Sequence, residues 1–208
     1  DGFSGSYRWI FIFFITLNLF GEQDALFKNL ELRVKQLEKQ INILLEKEIE
    51  DDAAKNERSK ALYRILRDGE VYSREELREA ERIFRFISNS STDVSVEKEL
   101  SILREKYPAA NQTGCALITW ALNQKEESKI TALNEVITNH SDCYFSDGVN
   151  VGAFARLYLA LHLRSINEID NSLLLINEIK SSYPYAIDHK GIRLIEHLEE
   201  LEAILPLP

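Results

Sequence analysis

The order of apolar and polar positions divides this chain into an apolar block, a heptad run and a long amphipathic remainder. Residues 9–20 (Trp-Ile-Phe-Ile-Phe-Phe-Ile-Thr-Leu-Asn-Leu-Phe) carry no charge, and only Thr16 and Asn18 interrupt them. Beyond this block Phe27, Val34 and Ile41 fall at one seam position, and Leu30, Leu37 and Leu44 at the other. That 3.5-residue period predicts a self-associating coiled coil, in which each seam side chain fills a gap between residues of a partner helix. β-Branched residues at the first position with leucine at the second fit a parallel pair, and Arg33 then faces Glu38 of the partner. Glu48 and Asp51 occupy the next seam positions and end the run. Leu32, Ile43 and Leu45 add apolar surface off the seam. They leave open a larger bundle, or a single amphipathic helix lying on a globular part.

Residues 46–60 are polar all round and read as a solvated helical spacer, with Asp68-Gly69 as the turn that closes it. Ser73-Arg-Glu-Glu76 predicts a capping box, followed by an apolar stripe of Leu77, Ala80, Ile83, Phe84 and Ile87. After a polar linker at 88–93, helices are predicted over 94–106, 113–124, 128–139, 150–165, 169–182 and 189–204. No stretch alternates as a half-buried strand does. The expected fold class is all-α: an apolar segment at 7–21, a coiled coil with spacer at 22–68, and a helical domain at 70–205.

The apolar block spans roughly 18–20 Å as a helix, against a hydrocarbon core of about 30 Å. Three readings fit it: a signal-anchor held in the bilayer, a cleaved signal peptide, or a buried or interfacial helix of a soluble assembly. Leu19-Phe20-Gly21 lacks the small-x-small pattern of a cleavage site. Arg8 precedes the block and Glu22 and Asp24 follow it, which points to a cytoplasmic N-terminus and a periplasm-like, extracytoplasmic body.

Net charge of −9 counts against nucleic acid as a partner, because gripping phosphates requires a basic face. Hydrophobic residues make up 45% and charged residues 28%, a balance that supports a folded chain over most of its length. Methionine is absent, which suggests a processed or trimmed form.

Three predicted helices end alike, in Tyr107-Pro108, His140-Ser141 and Tyr183-Pro184, each followed six or seven residues later by Gly114, Gly148 or Gly191. Ala132–Ser141 and Ser172–Pro184 resemble second helices of tetratricopeptide repeats, and Gly152–Leu161 resembles a first helix. The Trp-x-x-Leu-Gly signature of that family is missing, and a generic helical bundle stays open. The resemblance implies a protein-binding concave face lined by first helices, and no catalysis. An N-terminal coiled coil followed by such repeats also resembles, in architecture alone, the periplasmic coordinators associated with the Tol-Pal system.

Catalytic and cofactor chemistry is not legible. None of His140, His162, His189 and His197 has a neighbour at metal-ligand spacing, and no glycine-rich loop could cradle a phosphate. His162, in an apolar helix, reads as a satisfied core residue. The expectation is a protein without metal or cofactor. The two cysteines, Cys115 and Cys143, fall at the start of one predicted helix and just past the end of the next. An antiparallel helix pair makes those places neighbours, so a disulfide is expected, with two unrelated buried thiols as the alternative. Together these features lead to one expectation: a non-enzymatic, membrane-tethered scaffold that homo-oligomerises and binds a protein partner. The alternative is a structural subunit of a larger membrane complex or filament.

Overall fold

A computed structural model describes the backbone over residues 5–90 and 94–203, and side chains at 28–45, 48, 52–90 and 95–198. Its elements are α1 (Gly5–Asp68), α2 (Arg74–Asn89), α3 (Val94–Lys106), α4 (Asn111–Leu122), α5 (Glu126–Asn139), α6 (Val151–Ser165), α7 (Ile169–Ser182) and α8 (Leu194–Ala203). The described residues are all-helical, with only two isolated β-bridges. No helix among them is long and apolar enough to cross a membrane. The side chains of the 7–21 segment lie outside the described residues.

The chain forms two compact units, Asp1–Ile49 and Glu50–Pro208. The described residues of the first belong to the leading part of α1. In the second, the rest of α1 joins α2–α8. Each helix from α2 onward packs on its successor, and α2 also meets α4, as α4 meets α6. The core is aliphatic, with Ile83 and Ile87 from α2, Leu100 and Leu103 from α3, Leu117 and Ile118 from α4, and Leu133 and Val136 from α5. Phe154 and Leu157 of α6, Ile176 and Ile179 of α7 and Leu198 of α8 continue it.

The capping box forms as expected. Glu76 N–H donates to Ser73 Oγ (3.3 Å), and Ser73 N–H donates to Glu76 Oε2 (2.8 Å). These bonds satisfy orphan donors of the first turn and, through the Ser73 backbone bond above all, hold the Glu76 carboxyl below its usual pKa. Of the expected α2 stripe, Ala80, Ile83 and Ile87 are buried, while Leu77 and Phe84 are partly so. Helix α4 starts two residues before its predicted position because a carboxylate from elsewhere caps it: Asn111 N–H donates to Asp68 Oδ2 (2.7 Å).

The loops before α6 and α8 repeat one design. Phe145 N–H donates to Val149 O and Val151 N–H to Cys143 O, each 2.9 Å. Asp188 N–H to Ile192 O and Leu194 N–H to Ala186 O, each 2.8 Å, make the second copy. Gly148 (φ 102°) and Gly191 (φ 86°) turn the two hairpins in backbone conformations that side chains disfavour. This hairpin delays α8 to Leu194, past the predicted start at 189. Gly114 does not share the role. It lies inside α4, where a Cβ would come within 2.7 Å of Cys143 Sγ. The threefold echo in the sequence is therefore a twofold structural repeat.

One expectation is corrected outright. The stretch read as a solvated spacer buries Ala53, Ala54 and Glu57, and the stripe continues through Ala61, Arg64 and Asp68. Its spacing of three and four residues is a helical face. Small alanines allow close approach to the loops beneath, and the polar members are buried because they have partners.

Candidate interaction surfaces

The heptad positions stand on the leading part of α1 with nothing over them. Leu30, Val34, Leu37, Ile41 and Leu44 are 48–66% exposed, and Leu32, Ile43 and Leu45 are exposed to a similar degree. Phe27, the remaining seam residue, lies outside the residues whose side chains are described. Each leucine brought out of water is worth roughly 1.5–3 kcal/mol, so a helix displaying eight such residues is incompletely buried as a lone chain.

In the second unit α1 crosses the loops of the helical array. Arg64 lies at the centre of this crossing, with its side chain 8% exposed. It pairs with Asp68 on the same face, donates through Nη2 to Ala109 O (2.8 Å) and places Nε 3.1 Å from Asp142 Oδ2. Arg67 pairs with the same Asp142. Asp68 in turn accepts from the first turn of α4. A guanidinium and a carboxylate this deeply buried persist only because each has several partners. Further along, Arg58 Nε donates to Asp147 O in the first hairpin (3.3 Å), and Gly191 of the second hairpin comes close to Ala54.

The cysteines correct the disulfide expectation. Both are free, buried thiols. Their proximity follows the expected logic, since Cys143 packs against Gly114, the residue before Cys115. Their sulfurs have other partners: Cys115 Sγ donates to Tyr144 O (3.2 Å), while Cys143 Sγ lies 3.8 Å from Arg64 Nη2. Burial pushes the Cys143 thiol up to about 12 and Cys115 well above its ordinary range, so neither is a thiolate at neutral pH.

His162 is a satisfied, nearly buried residue, with Nδ1 2.9 Å from Glu126 Oε1. Burial lowers the pKa of His140, which is only 6% exposed. Among the described residues no group of three or more His, Cys, Asp or Glu is placed to hold a metal.

The first helices expected to line a binding groove are α4 and α6. Every residue of α4 is buried or half-buried, and in α6 only Ser165 is exposed. A pocket of about 230 Å³ opens between α2, the start of α4 and the hairpins, with Glu81, Phe84, Gln112, Phe145, Asp147 and His189 around it. A larger one, about 410 Å³, lies where α1 meets the 142–144 loop, lined by Ser59, Lys60, Tyr63, Arg64, Arg67, Asp142 and Tyr144. The burial pattern of α1 was the signal that sequence reading missed. Residues 53, 57, 61, 64 and 68 keep helical spacing, but three of the five are charged and so do not register as apolar.

Compared with known proteins, the chain matches no family model, no curated protein and no solved structure.

Proposed function

We propose that this protein is a non-enzymatic scaffold that self-associates through the α1 seam and presents its helical body to a protein partner. The observation that carries this reading is the row of exposed seam side chains, Leu30, Val34, Leu37, Ile41 and Leu44, which no element of their own unit covers. Neighbour-on-neighbour packing of α2–α8, with α2 on α4 and α4 on α6, supports a tetratricopeptide-like array, an architecture that serves protein binding elsewhere. Membrane attachment through residues 7–21, with an extracytoplasmic body, belongs to the same reading and draws on the charge-free run Trp9–Phe20. Alkaline carbonate extraction of native membranes tests it: an attached chain stays in the pellet.

Analytical ultracentrifugation of a chain starting at Gln23 tests the association. A defined small oligomer is expected, and a monomer at high concentration would reject the seam. A second reading is favoured by Leu32, Ile43 and Leu45, whose exposure widens the apolar surface beyond a two-helix seam. In that reading α1 packs permanently inside a larger complex, and the isolated chain aggregates in place of forming a defined oligomer.

A further inference from the structure

Residues 52–68 of α1 are seated on the helical body without joining its core. The continuous apolar core runs from Ala80 of α2 to Leu198 of α8 and takes no residue from this strap. What the strap buries is small or charged: Ala53, Ala54 and Ala61, with Glu57, Arg64 and Asp68. Of its large apolar side chains only Ile65 is partly buried, while Leu62, Tyr63 and Leu66 are exposed and add nothing to the seat. Its partners are loops and the first residue of α4. Arg64 donates to Ala109 O, Arg58 donates to Asp147 O, and Asp68 accepts from Asn111 N–H. Gly148, at the turn of the first hairpin, packs under Arg58, and Gly191 of the second lies near Ala54.

Three alanine methyls removed from water stabilise a contact far less than the leucines and isoleucines that join α2 to α8. Buried charges hold while every partner is in place, but the desolvation each one costs offsets much of the attraction it gains. On release, water satisfies Glu57, Arg64, Asp68 and the loop carbonyls together. A core helix that left would expose leucine and isoleucine instead, so the strap costs less to open than the helices beneath it. We infer that residues 52–68 are a releasable strap, which lifts from the loops carrying Ala109, Asp147 and Gly191 while the apolar core stays folded. Seated, the strap caps α4 through Asp68 and lies over Cys143, whose Sγ is 3.8 Å from Arg64 Nη2. Released, it bares a face of loop carbonyls and frees the first turn of α4. The seat is a conformational switch with the strap as its moving part, and it does not depend on the scaffold reading.

The test places a thiol at a buried strap position of the full chain, as Ala61→Cys and separately as Ala53→Cys. Iodoacetamide labelling in native buffer is followed by mass spectrometry, and each rate is corrected for the same thiol in urea-unfolded chain. The native Cys115, buried within the core, reports global unfolding in the same molecule. The strap thiol should label at least tenfold faster than Cys115. Its rate should also rise less steeply with urea, because a sub-global opening exposes less surface. Leu133→Ala in the core should speed Cys115 at least tenfold and leave the strap thiol unchanged. Arg64→Met should speed the strap thiol at least tenfold. Agreement between the two strap positions separates release from local strain at either thiol, and a circular dichroism spectrum matching the parent shows that each variant folds. Equal rates and equal urea dependence for strap thiol and Cys115 mean that strap and body open only together, which overturns the inference. A strap rate that follows Leu133→Ala, or ignores Arg64→Met, overturns it too. None of these readouts depends on Leu37, so failure here leaves the seam to its own test.

Discussion

Arg64 shows how much one residue can carry in this protein. Its guanidinium joins the helix that bears it to Ala109 ahead of α4 and to Asp142 in the first hairpin loop. Replacing Arg64 with Met keeps the volume but strands Asp68, itself 3% exposed, without its ion-pair partner. A loss of about 3–5 kcal/mol is expected, read as a lower urea midpoint of the full chain. Asp68→Asn in the Arg64→Met background should recover part of it, because a neutral amide can still accept from Asn111. His140 gives a pH dependence. Its folded pKa is below the ordinary value of about 6.5, so the unfolded chain binds the extra proton first. Its stabilising share is complete above pH ~6.5 and is lost as pH falls through the folded pKa. The urea midpoint should drop between pH 7.5 and pH 5, and His140→Asn should flatten that part of the profile. Identical profiles would remove His140 as the cause.

At the scale of elements, the two hairpins make the clearest demand on residue type. Gly148 combines φ 102° with a site where a Cβ would lie 2.9 Å from Arg58 N. Gly148→Ala is therefore strained both in its backbone and against α1, and a destabilisation of about 1–3 kcal/mol is expected. Gly191→Ala meets the same backbone cost but finds its nearest atom at 3.8 Å, so it should cost less. The ordering of the two urea midpoints is the check. The capping box, legible from Ser73-Arg-Glu-Glu76 alone, makes a smaller claim. Ser73→Ala should cost about 1 kcal/mol, because it leaves an N–H of the first turn unpaired. Helix positions were legible to within two residues for α3 through α7, since capping residues and 3.6-residue periodicity are local properties. The hairpin before α8 was not, because its hydrogen bonds join residues with no strand-like alternation between them.

For the whole molecule, the decisive variant is Leu37→Asp. Leu37 is exposed in the single chain, and pairing of α1 through the proposed seam would bury it. A charge there should dissociate the oligomer at a cost of several kcal/mol while leaving the urea midpoint of the 50–208 unit unchanged. Sedimentation velocity with far-ultraviolet circular dichroism separates the two effects.

The sequence by itself determined the all-helical class, the cap on α2 and the positions of most helices. Each depends on residues a few positions apart in one helix, where spacing alone decides which side chains share a face. Tertiary structure decided what those faces meet. It turned a polar stretch into a buried strap, because Glu57, Arg64 and Asp68 are tolerated in the interior only with particular partners, most of them over forty residues away along the chain. It kept Cys115 and Cys143 neighbours yet unbonded, each sulfur held by a different group. It also left every residue of α4 and all but Ser165 of α6 buried or half-buried, and Leu62, Tyr63 and Leu66 exposed. The pairing of charges and the exposure of apolar side chains depend on contacts distant in sequence, and helical periodicity carries no information about them.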